Sequence, residues 1–197
     1  MAFDEAAYCY VLGLYLGDGH VVVRSPRSAS LFLSLDRGHP HIVVEAAAAA
    51  ERVFPRASIT RYRRPGYELV VIRVTTPDVP HAFPQHGPGK KHTRPIRLEQ
   101  WQSELTGRHP RALLRGLIHS DGCRTVNRFT TRLPSGRVAE YAYPRYFFSN
   151  LSADIRAIFT AHCDLLGVRW TMSNGRNVSV AHRSSVALLD TFIGPKT

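Results

Sequence analysis

Two nine-residue stretches of one design stand 103 residues apart in this 197-residue chain. The first is Val11-Leu12-Gly13-Leu14-Tyr15-Leu16-Gly17-Asp18-Gly19; the second is Leu114-Arg115-Gly116-Leu117-Ile118-His119-Ser120-Asp121-Gly122. Both read x-x-Gly-Leu-x-x-small-Asp-Gly, with helix-forming residues before and strand-like residues after. Glycine inside a helix costs about 1 kcal/mol relative to alanine, so two small residues in one helix need a reason. Gly13 and Gly17, like Gly116 and Ser120, lie four apart and share a helix face. A tight helix–helix seam between two halves of the chain supplies the reason. It brings the two helix ends, and with them Asp18 and Asp121, together.

The order of elements repeats with the motif. The first half reads as helix 4–18, strands 20–24 and 29–36, helix 39–54, strands 57–63 and 67–75, and a short helix from Pro77. The second reads as helix 109–121, strands 124–132 and 139–148, helix 152–166, strands 168–173 and 177–182, and helix 184–192. Pro40 suits the first position of its helix. Asn150 or Ser152 can cap the middle helix of the second half, Gly167 can end it, and Ser184 can cap the last one. The fold class predicted is α+β, with two pseudo-symmetric αββαββα halves whose antiparallel sheets form one saddle. Five prolines between Pro77 and Pro95 mark a connecting stretch. The domain reading is a first half over 1–94, a linker over 95–107 and a second half over 108–197.

Charge points to the partner. Lys+Arg number 26 and Asp+Glu 15, a net +11. Divided at Gly107, the first part has 13 basic and 10 acidic residues and the second 13 and 5, so they carry +3 and +8. Only Lys90, Lys91 and Lys196 are lysines. A polyanionic partner follows, and arginine's planar fork suits phosphates and guanine edges. Alternation places Arg124, Val126, Arg128, Thr130 and Arg132 on one strand face. Arg61 and Arg63 do the same on another strand, with Arg24 and Arg73 nearby. These seven arginines are the predicted DNA contacts. No apolar run reaches the roughly 18 residues of a membrane span, and Met1 to Asp4 lack the basic region of a secretory signal. Three cysteines without a C-x-x-C pair disfavour disulfides and a cysteine zinc site.

An aspartate at a helix C-terminus faces the negative end of the helix dipole. Two of them side by side repel unless a cation bridges them, and Mg²⁺ suits such oxygen-only sites. Taken singly, each Asp-Gly step is only a turn, with Gly19 and Gly122 as left-handed caps; the duplication favours a metal site.

The two nonapeptides, their spacing and the repeated halves resemble the LAGLIDADG homing endonucleases in their single-chain, two-motif form. The resemblance implies a monomeric, Mg²⁺-dependent endonuclease that cuts double-stranded DNA at a long asymmetric site, with no membrane partner, in the cytoplasm with the nucleoid. It implies metal binding and catalysis by Asp18 and Asp121. It also implies an assisting basic residue, for which His182, Arg183 and Lys90 are the candidates; Lys196 stands in a Gly-Pro-Lys phrase like that of Lys90. An inactive DNA-binding regulator and an intron RNA maturase are the alternatives on the same fold.

Overall fold

The computed structural model describes residues 4–194 and 196. Asp4 caps α1 (Glu5–Asp18) by accepting from the Ala7 amide at 2.9 Å, with Glu5 in the first turn, where a negative charge is favoured. Residues Ala7–Leu16 are buried all round, as expected of a helix with no polar face. The chain continues through β1 (Gly19–Ser25), β2 (Ser28–Asp36), α2 (Pro40–Val53), β3 (Ser58–Arg63), β4 (Leu69–Thr75) and α3 (Val79–Ala82). After α4 (Gln100–Arg108) the order repeats: α5 (Pro110–Asp121), β5 (Gly122–Arg132), β6 (Val138–Ser149), α6 (Ala153–Leu165), β7 (Thr171–Asn174), β8 (Asn177–Val180) and α7 (Arg183–Asp190).

The two antiparallel sheets have corresponding orders, β1-β2-β4-β3 and β5-β6-β8-β7. This is the predicted α+β class with its repeated strand order. In each sheet one face carries the core. Leu31, Leu33, Ile72 and Val74 face α1 and α2 in the first; Tyr146, Phe148, Val178 and Val180 face the helices of the second. Phe148 stacks on Phe159 of α6 with centroids 4.4 Å apart.

The helices α1 and α5 pack against each other along the small residues. A Cβ on Gly13 would lie 2.5 Å from the Leu113 carbonyl oxygen, and one on Gly116 would lie 2.2 Å from that of Tyr10. A Cβ on Gly17 would meet the Ser120 side chain at 2.2 Å and the Asp121 carboxyl carbon at 3.0 Å. Backbone therefore lies on backbone, with no room for even a methyl group.

Four local expectations change. The segment 95–107 is not a bare linker: it holds α4, started by a reciprocal Glu99–Gln102 capping box and burying Gln102, Leu105 and Thr106. Gly19 and Gly122 are not left-handed caps; their φ values are −98° and −108°. A Cβ there would sit 2.5 Å from the Tyr15 Cα and 2.7 Å from the Ile118 Cα, so the glycines let each strand leave against its own helix. Strand β7 begins only at Thr171, because the Arg169 amide bonds Ser185 and the Trp170 indole bonds Asp164. Ser184 lies inside α7, whose cap is His182. Ser152 does cap α6, and Gly167 follows that helix at φ +66°.

The seam makes a sharp contrast available. Gly116→Ala is expected to lower the thermal midpoint by several degrees, from an overpacking cost of about 1–3 kcal/mol. Gly107→Ala in α4, where nothing lies within 4 Å of the added Cβ, is expected to be neutral or stabilising by about 0.5–1 kcal/mol. Thermal unfolding of both variants checks this, and equal midpoints would remove the packing account.

Candidate active site

Asp18 and Asp121 are the last residues of α1 and α5, delivered side by side by the seam. Both are largely withdrawn from water. Burial first, and then the charge of Asp121, holds the Asp18 carboxyl up to about 6. Burial also raises Asp121, against the pull of a hydrogen bond donated by the Asn150 amide and of the two lysines.

Each helix end is closed by a lysine. The Lys91 ammonium donates to the carbonyl oxygens of Tyr15, of Gly17 at 2.8 Å and of Gly19 at 2.9 Å. The Lys196 ammonium donates to those of Ile118, His119 and Ser120 at 3.0, 2.8 and 2.8 Å. A cation at a helix C-terminus answers the dipole and adds donors to last-turn carbonyls, of which those of Tyr15 and Ile118 also accept the Gly19 and Gly122 amides. Burial lowers Lys91 to about 8, against the attraction of Asp121 and Asp18. Lys196 is lowered for the same first reason. Three acceptors for three protons keep Lys91 an ammonium.

The stretch between the halves holds Lys91 in place. The Gln85 amide donates to the Arg97 carbonyl at 2.8 Å and to Gln102, whose own amide donates to the Tyr8 hydroxyl at 2.7 Å. The Ile96 amide donates to Asp154 of α6 at 2.8 Å. On the other side Arg115 pairs with Glu45 and donates to the carbonyls of Phe192 and Ile193. His119 joins Tyr10 at 2.9 Å and the Ile193 carbonyl at 2.8 Å. The segment leading to Lys196 is thereby tied to α5.

Other candidates lie elsewhere. Lys90 is exposed and lines the same cavity as Gly17, Gly19 and Asp121; its neighbour Lys91 is the lysine that reaches the end of α1. His182 is occupied by Ser184 and Arg169. The cations acting on Asp18 and Asp121 are Lys91 and Lys196, with neither His182 nor Arg183 among them. Lys91 carried one signal in the sequence, a doubled lysine after Gly-Pro-Gly in a chain with three lysines.

Strand register says which side of each sheet the arginines occupy. Arg124 pairs with Tyr146, and Gly122 with Phe148, so Arg124, Arg128 and Arg132 share the helix-side face of β5. Arg124 forms a two-pronged ion pair with Asp190 at 2.8 and 2.9 Å, to which the Tyr146 hydroxyl also donates. Arg61 and Arg63 pair with Ile72 and Val70, again on the core-side face. Arg24 lies at an irregularity between Val23 and Ser25. Arg73 alone of the seven is placed by its pairing in the middle of an open face. It is cross-strand from Phe32 and Thr60, with its guanidinium 5.6 Å from the Phe32 ring.

No family model and no curated protein matches the sequence. Solved structures do. The chain is similar to I-DmoI in complex with DNA and Mn, with a TM-score of 0.62 and 15% identity over 98% of this chain and 99% of that one. It is similar to the I-LtrWI LAGLIDADG homing endonuclease bound to target DNA, with a TM-score of 0.59 and 10% identity over 98% and 85%. Full-length DUF199/WhiA from Thermotoga maritima gives a TM-score of 0.57 and 13% identity over 98% of this chain and 56% of that one. The chain has the fold of the LAGLIDADG homing endonucleases, as the two motifs implied. Among the described residues no helix is long and apolar enough to cross a membrane.

The raised Asp18 carboxyl predicts a pH dependence. The folded protein holds this proton more tightly than the unfolded chain, whose ordinary value is 3.8. The penalty is absent below about 4, grows as pH rises and is complete above about 6, at up to about 3 kcal/mol. Unfolding measured across this range in chelator should show wild-type stability falling relative to Asp18→Asn. Parallel curves would contradict this account of burial and repulsion.

Proposed function

We propose that this chain is a site-specific, divalent-metal-dependent endonuclease of double-stranded DNA that acts as a monomer. In this reading the halves 1–94 and 108–197 contribute one carboxylate each. The observation that carries it is the pair of half-buried carboxylates at the ends of two glycine-seamed helices, on a fold shared with I-DmoI in complex with DNA and Mn.

The donor set fits a hard divalent cation. Asp18 and Asp121 are oxygen donors forced together against their own repulsion, and the nearby helix-end carbonyls are taken by lysines. Among the described residues no group of three or more His, Cys, Asp or Glu competes as a metal site. Asp18 and Asp121 would hold Mg²⁺, which when bound supplies an activated water and charge stabilisation for phosphodiester hydrolysis. Asn150 orients the Asp121 carboxylate. Lys91 and Lys196 fix positive charge where a scissile phosphate would lie.

A second reading, DNA binding without cleavage, has one observation in its favour. The two lysines balance the two carboxylates without any metal. A randomised duplex library, incubated with Mg²⁺ and selected in parallel for binding alone, separates the two. Asp18→Asn and Asp121→Asn are each expected to abolish cutting while leaving duplex binding largely intact. Cutting at the wild-type rate by either variant would refute the site.

The open sheet face is the proposed DNA surface. Arg73→Gln is expected to weaken duplex binding and to flatten the slope of log K against log salt by about 0.9, if Arg73 meets one phosphate. Arg124→Gln is expected to lower the thermal midpoint instead, through loss of its Asp190 pair. Salt titrations and melting curves of both variants check this; the reverse pattern would return DNA contact to the helix-side face.

A further inference from the structure

The second half carries a structure that the first lacks. Strand β6 pairs with β8 only from Tyr146 to Ser149, but with β5 along Val138–Phe148. Residues 125–132 and 138–145 therefore form a two-stranded ribbon that runs past its own sheet. In the first half β4 backs the hairpin along Ser30–Asp36.

The two faces of this ribbon differ. The face continuous with the open side of the sheet carries Phe129, Tyr141 and Tyr143, with Arg145 at its root. The rings lie against one another, with centroids 5.4 Å apart for Phe129–Tyr141 and 6.0 Å for Tyr141–Tyr143. Phe129 and Tyr143 are 45% and 49% exposed. Exposed aromatic clusters on a strand face mark a contact surface. Among the described residues no element covers Phe129 or Tyr143, and the Nε of Arg145 is buried with no hydrogen-bond partner.

A two-stranded ribbon fits the major groove of B-DNA, where the one apolar group on offer is the thymine methyl. Phe129 has no polar atom for a base edge, and the ring faces of Tyr141 and Tyr143 extend its apolar surface. We infer that Phe129, Tyr141 and Tyr143 are specificity residues that read thymine methyl groups in the outer part of one half-site. This rests on the proposed duplex binding and adds to it an asymmetric preference. The surface is continuous with the proposed DNA face, and the net charge of +11 favours a nucleic acid over a protein partner.

The test is selection of bound duplexes from a randomised library by the wild type, by the triple variant Phe129→Ser, Tyr141→Ser, Tyr143→Ser, and by Val126→Ser, Val138→Ser. The last pair lies on the opposite ribbon face, also exposed. Thymine enrichment in one outer flank is expected for the wild type and the Val126/Val138 variant, and its loss for the triple variant, with the central positions unchanged. In the selected duplex, deoxyuridine for thymidine in that flank removes only methyl groups. It should weaken wild-type binding about fourfold per methyl contacted and leave the triple variant unaffected. Neutral deoxyuridine substitution, or thymine enrichment that survives in the triple variant, would overturn the inference while leaving duplex binding intact. Loss of the central positions too in the triple variant would assign the rings a structural role and overturn it. Tighter binding of single strands than duplex through these rings would make the ribbon a stacking platform instead, and failure to select any duplex would remove the reading on which it rests.

Discussion

Everything at the candidate site depends on how closely α1 and α5 approach. A single Cβ at Gly13 or Gly116 would overlap the backbone of the facing helix, so the seam is a contact of main chains. That contact sets the separation of Asp18 and Asp121, since each ends its helix with no intervening loop. The glycines after them serve the same end. Gly19 and Gly122 have extended backbone and lie against the last helical turn. Each strand thus departs at once and each carboxylate stays at the floor between the sheets. The cost of helix glycines is offset by burial of the seam's apolar flanks, including Leu12, Leu14, Leu113 and Leu117.

The seam creates an electrostatic difficulty and the connecting segments resolve it. Two carboxylates at negative helix ends are disfavoured by the dipoles, by burial and by each other. Lys91 and Lys196 arrive from different parts of the chain, one from the stretch between the halves and one from the segment after α7. Each makes the same kind of threefold contact with the last turn of its own half's helix. Buried Gln85, Gln102 and Tyr8 on one side, and half-buried Arg115 with buried His119 on the other, hold the segments that carry the two lysines.

What the sequence made legible follows from which signals are local. The small-residue spacing at Gly13, Gly17, Gly116 and Ser120, the repeated element order and the caps at Pro40 and Ser152 are written within a few residues. The structure has all of them. The helix Gln100–Arg108 was hidden because prolines just before it suggested a connection, although Glu99 and Gln102 spell a capping box. The arginine face shows a limit of another kind. Period-two alternation says which residues share a face, not which face meets the helices; that is set by pairing partners such as Tyr146 and Phe148, distant in sequence. Which of the adjacent Lys90 and Lys91 reaches the end of α1 depends on the path of a non-repetitive segment, which no local signal records.

The two halves have kept different things. At the seam they match residue for residue: small residue against small residue, aspartate beside aspartate, lysine over each helix end. Away from it they diverge. The first sheet shows a compact open face with His20 stacked on Phe32 at 4.8 Å and Arg73 beside them. The second extends into a long ribbon with an aromatic face. The main-chain contact at Gly13 and Gly116 leaves no room for a Cβ on either helix, so it holds the centre to one geometry. An exposed strand face is under no such restraint, because its side chains touch neither the core nor the seam. A repeated fold of this kind can therefore hold its two aspartates in matched settings while presenting two unlike surfaces to whatever lies along the sheets.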